Sequence, residues 1–217
     1  MAPPNRETIP DLLVRHISRE LVLGLQEAKL VGAQRAHAAA RGMDDGHLSS
    51  VLGQLRHFHM AESFHRALAV GGASPSPLRG NQIVTGRAGI FTLARFNTRH
   101  GIWNSIRRSA TRKQMALANE AIEQLVQPGL FSDYVEPSQA VVFIVACFAG
   151  SLHGQPDTPV SIEIAVPDHH MRDWLFREPI DAFIKRYDRQ PTAGQDDLAV
   201  PKLKKNIGKQ DKDEKES

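Results

Sequence analysis

One cysteine, Cys147, stands among 217 residues. No internal disulfide can form, and its place in a strongly apolar run predicts a small buried core residue in a reducing compartment, the cytoplasm. Long uninterrupted apolar stretches are also missing: the first apolar region is broken by Arg15, Arg19, Glu20, Glu27 and Lys29, and Met1-Ala2-Pro3-Pro4-Asn5 carries no apolar signal core. Neither an export signal nor a membrane span is expected. Charge of one sign is scarce as well. With 27 Lys plus Arg against 24 Asp plus Glu the formal charge is +3, so attraction for an anionic partner must come from local clusters. There is no Walker phosphate loop, no dinucleotide glycine fingerprint and no paired CxxC, which removes the commonest nucleotide and redox sites. Val145, Ala146 and Phe148 would raise the Cys147 pKa, against a nucleophilic thiol. Internal repeats are absent.

What is present is enough for one sizeable core or two small ones, at 41% hydrophobic residues. Thr8 caps a helix with Pro10 in its first turn, and Leu13, Ile17, Leu21 and Leu25 recur every four residues as one apolar stripe. A second helical segment covers about 34–41 and a third about 45–69, stopped by Gly71-Gly72. Ala73-Ser74-Pro75-Ser76-Pro77 reads as a linker. Ile83-Val84-Thr85 and the 90–96 run read as a hairpin around the turn Gly86-Arg87-Ala88-Gly89. Ser109 or Thr111 caps a helix bearing Met115, Ala118, Ile122 and Leu125, ended by Pro128-Gly129. The nearly continuous apolar run from Ala140 to Phe148 suits a strand covered on both faces, and Val160 to Val166 alternates as its half-buried neighbour. Asp168 is expected to cap a last helical segment through Met171, Trp174, Leu175, Phe183, Ile184 and Tyr187. The expected class is α+β: a helical region over 1–72, an α+β domain over 80–188 with a mainly antiparallel four-stranded sheet, and a charged disordered tail over 189–217.

Within the helical region, Ala38-Ala39-Ala40-Arg41-Gly42-Met43 and the following Asp44-Asp45-Gly46-His47-Leu48-Ser49-Ser50-Val51 place small and apolar residues at a glycine corner. Ala38 would allow close approach, Gly42 would turn the chain, and Met43, Leu48 and Val51 would fill the wedge. This segment, 38–51 only, resembles the helix-turn-helix repressor families, with His37 where those families place an apolar residue and Asp44 and Asp45 at the helix start. The resemblance implies DNA contact from the second helix through His47, Ser49, Ser50 and Gln54.

The densest basic region, Arg87, Arg95, Arg99, Arg107, Arg108, Arg112 and Lys113, is interleaved with Phe91, Phe96, His100 and Trp103, a mixture suited to phosphate contact and base stacking. Arg99, Arg107, Arg108, Arg112 and Lys113 are its candidate backbone clamp. Other groupings are sparser. Glu62 and His65, three apart on a helix with His57 and His59 nearby, form one metal-ligand pair without the second that a di-metal bundle needs. Asp157 with Glu163-Ile164-Ala165 is similar to the acidic signature of PD-(D/E)xK nucleases, with Ala165 at the lysine position. Asp168-His169-His170 reads as a cap followed by exposed residues.

These features point first to a DNA-binding regulatory or accessory protein of bacterial type, with no catalytic residues, metal or cofactor assigned. The competing class is a protein-interaction module, an inhibitor or adaptor using the hairpin edge and the Trp103 region, and a metal-dependent nuclease is third. DNA is the expected partner, with a partner protein or a second copy of the chain as the others.

Overall fold

The computed structural model describes residues 7–103, 108–126, 136–150 and 156–189. Three helices lead: α1 (Ile9–His16), α2 (Arg19–Ala40) and α3 (Asp45–Val70). The Thr8 hydroxyl accepts from Asp11 N–H while the Asp11 carboxylate accepts from Thr8 N–H, closing a capping box at α1. The stripe Leu13, Ile17, Leu21, Leu25 is buried as expected, but it spans two helices. Ile17 is extended, with φ −116°, and the Ser18 hydroxyl accepts from Leu21 N–H at 3.2 Å. That fresh cap restarts the chain as α2.

α2 and α3 form an antiparallel pair. Leu21 lies against Gly71, Gly24 faces Ala67, Gly32 faces Met60, and Ala36 and Ala40 share a buried cluster with Leu52. Small residues let the axes approach: a Cβ on Gly32 would stand 2.7 Å from the Met60 Cα. Gly42, at φ 93°, takes the left-handed conformation that reverses the chain between them. Around this corner Ala36, Ala40 and Leu52 are buried and Leu48 packs against them, while Ala38 is exposed and Met43 is 47% exposed.

The sheet has six strands rather than four, and it is mixed: β1 (Ser74–Pro75), β2 (Thr85–Ala88), β3 (Phe91–Arg99), β4 (Ala140–Phe148), β5 (Ser161–Pro167) and β6 (Trp174–Pro179) lie in sequence order. All neighbours are antiparallel except β3 and β4. Those two run parallel because the chain between them crosses over through α4 (Ala110–Ala116) and α5 (Glu120–Val126). The two additional strands come from segments read otherwise in the sequence. Part of the expected linker is β1, whose neighbour Ser76 donates its N–H to Thr85 O. Part of the expected last helix is β6: the Asp168 carboxylate accepts from Arg172 N and Asp173 N at 2.7 and 3.0 Å, closing a loop rather than a helix, after which the chain pairs with β5. A short helix, α6 (Ile180–Ile184), starts after Pro179.

The expected hairpin is present with a tighter turn. Gly86 and Arg87 belong to β2, and Gly89, at φ 55°, makes the reversal. Gly86 is small because Leu68 sits on it, with the nearest atom 2.6 Å from where a Cβ would be.

All nine residues of β4 are buried, as its apolar run predicts. Val142 and Ile144 join α1–α3 and α6 in the main core, while Val141, Phe143, Val145 and Cys147 face Phe96, Ala116 and Met171 on the other side. The main core thus draws on both the helical region and the sheet. No helix among the described residues is long and apolar enough to cross a membrane. The Pro128-Gly129 stop and the 190–217 tail lie outside the described residues.

Candidate functional site

β3 is nine residues long and β2 only four, with Thr85 paired to Ala94. Past Ala94 the edge of β3 has no β2 neighbour. A cleft of about 230 Å³ opens there. Gly53 and His57 of α3 form one wall, Ile83 closes the β2 side, Arg95, Phe96 and Asn97 supply the floor, and Arg112 of α4 stands opposite. Gly53 keeps the mouth open, since a Cβ there would meet nothing within 4 Å. Adjoining hollows run along α3 past Gln54, Phe58 and Asn81 and toward Thr111 and Met115.

The walls carry positive charge and, among the described residues, no Asp or Glu. Arg95 is 6% exposed and donates to the His57 carbonyl; burial and then the neighbouring Arg112 push its pKa down to about 10. Arg112 holds its guanidinium 4.5 Å from the Phe96 ring centroid, and burial lowers its pKa too. Burial and then Arg95 also lower the His57 pKa. Beneath the floor, Lys29 is fully buried and donates to Phe96 O at 3.2 Å; its pKa lies well below the ordinary lysine value, through burial first and Arg95 second. Further along α3, Arg56 lies 4.1 Å from the Phe148 ring centroid and donates to Pro156 O. Neither Lys29 nor Arg95 has a carboxylate within ion-pair distance among the described residues. Backbone carbonyls accept from both side chains, and a carbonyl dipole leaves the net positive charge of Arg95 in place.

His47, Ser49, Ser50 and Gln54 are all exposed near the start of α3. By the 100° step of the helix, about 3.6 residues per turn, His47, Ser50 and Gln54 share a side that runs on to His57 in the cleft wall, and Ser49 lies on the other flank. Arg99, Arg108 and Lys113 are exposed. Strand alternation puts Arg99 on the same face as Arg95 and Asn97, and its stem rests on Gly150. Arg112 turns inward to the cleft, and Arg107 lies outside the described residues.

The structure brings Arg95 of that basic region together with Lys29 and His57, and places Arg56 further along α3. Their signal in the sequence is positional. Arg95 interrupts the apolar run of β3, and Lys29 follows Leu25 by four residues on the buried side of α2.

The remaining candidates are accounted for locally. Glu62 meets Arg35 at 3.4 Å and His59 at 3.6 Å. Glu163 pairs with Arg177 at 3.3 Å and accepts from Ser161, and Asp157 accepts from Thr158. Among the described residues no three His, Cys, Asp or Glu side chains are gathered to hold an ion. Comparison with known proteins finds no matching family model, no matching curated protein and no matching solved structure.

Proposed function

We propose that this protein binds nucleic acid, with a regulatory or accessory role in a reducing cytoplasmic setting. The observation that carries the reading is the exposure of Arg99, Arg108 and Lys113 at the end of β3 and around the start of α4, on the same two elements that bring Arg95 and Arg112 to a cleft with no carboxylate in its lining among the described residues. The exposed side of α3 bearing His47, Ser50 and Gln54 supplies hydrogen-bonding groups for base edges or phosphates, and the glycine corner of the 38–51 segment supports that use. Phosphate contacts by the three outward cations predict a strong salt dependence. Fluorescence anisotropy with labelled duplex and single-stranded DNA should show affinity falling about 40-fold between roughly 50 and 200 mM salt, from a slope near −0.9 per phosphate contact. Arg108→Ala should lower that slope by about 1. Absence of binding, or binding indifferent to salt, overturns the reading.

A further inference from the structure

We propose that the cleft between α3, the free edge of β3 and α4 is a binding site for a phosphate monoester, held by Arg95, Arg112 and His57. This does not depend on the outer surface meeting nucleic acid.

The guanidinium groups of Arg95 and Arg112 line one small space with no carboxylate in its lining among the described residues, and the charge of Arg112 disfavours that of Arg95. A dianion placed between them reverses the sign of that interaction. Hydrogen bonding points the same way. Arg95 is 6% exposed, it donates to the His57 carbonyl, and its Nε has no acceptor among the described residues. The His57 ring lines the same space, with its Nε2 covered and unpartnered among the described residues. A buried guanidinium short of acceptors is unfavourable, and an anion in the cleft beside it supplies them to the nitrogens that reach the cleft. A phosphate group offers several oxygens around one centre, matching two planar forks and an imidazole, where a carboxylate offers only two in a plane.

Shape selects the monoester. The cleft is half-enclosed and about 230 Å³, a size that suits a single phosphate group at the tip of a ligand rather than a continuous duplex backbone. The adjoining hollow of about 350 Å³, with Phe58, Gln54 and Asn81 in its walls, leaves room for what carries the phosphate. The same chemistry is offered by a free phosphorylated small molecule and by the 5′-phosphate end of a strand.

The test is isothermal titration of the full chain with inorganic phosphate, accompanied by thermal melts. Saturable one-site binding is expected, competed by sulfate and indifferent to chloride at equal ionic strength. Arg112→Gln should weaken it by roughly tenfold, the loss of a charge-assisted contact. Gly53→Leu, which places a side chain over the open mouth, should weaken it by a similar factor while the melting temperature without phosphate does not fall. If Arg112→Gln does not fold, Gly53→Leu decides. Displacement by a 5′-phosphorylated oligonucleotide and not by its unphosphorylated twin upholds the site with a strand end as source; displacement by a mononucleotide but by neither oligonucleotide upholds it with a small-molecule source. No saturable phosphate binding, or unchanged binding by Gly53→Leu, overturns it.

Discussion

Asn119 shows how much one side chain can carry. It is fully buried between the crossover and the sheet, where its amide nitrogen donates to Val141 O and Pro167 O at 3.1 and 2.8 Å and its oxygen accepts from Val141 N at 2.6 Å. It ties the start of β4 to the end of β5. Asn119→Ala strands buried backbone groups and should destabilise the protein by about 3 kcal/mol, lowering the melting temperature by roughly 6–12 °C for a chain of this size. Cys147 is the inert counterpart: burial raises its pKa to about 11, so thiolate is scarce at neutral pH. Alkylation of the native protein at pH 8 should be slow and become fast once denaturant is added. The histidines set a pH dependence. His16 and His57 both have folded-state pKa values below the ordinary 6.5, through burial first and then Arg15 and Arg95 respectively. The unfolded chain therefore binds protons more readily, and the stability present above pH 6.5 is lost as pH falls below it. Urea midpoints should drop between about pH 7.5 and pH 5.5, and His57→Gln should remove part of that drop.

At the scale of elements, two helical glycines look alike in sequence and behave oppositely in space. Gly32 of α2 lies under the Met60 backbone, at 2.7 Å from a would-be Cβ, whereas Gly53 of α3 faces open space. Gly32→Ala must push the two helices apart and should destabilise by about 1–3 kcal/mol. Gly53→Ala meets nothing and should stabilise by roughly 0.5–1 kcal/mol through helix propensity. Paired denaturation curves give both signs in one experiment. The same contrast explains where element boundaries were legible. Capping at Thr8 and at Ser109, which accepts from Arg112 N, could be read directly, because a cap is a contact between residues three apart. The break at Ile17 could not, since the four-residue spacing of Leu13, Ile17, Leu21 and Leu25 continues straight through it.

For the whole molecule, the main core takes in Leu13, Leu25 and Phe64 from the helices together with Leu93, Ile144 and Ile164 from the sheet. With one shared core, helical circular dichroism and the fluorescence of the Trp103–Trp174 pair, whose rings lie 5.1 Å apart, should melt in a single coincident transition. Two separated transitions would show that the helical layer unfolds independently of the sheet.

The α+β class, the long α3, the buried β4 with its partner β5 and the exposure of His47, Ser50 and Gln54 follow from the sequence by itself, because hydrophobic period and capping act over a few residues. Tertiary structure decided the rest. The parallel pairing of β3 with β4, the recruitment of β1 and β6, and the meeting of Arg95, Arg112 and His57 depend on contacts between segments far apart in the chain. A charged residue within an apolar strand signals that something must solvate it, but only the folded backbone determines which carbonyls and which other cations surround it.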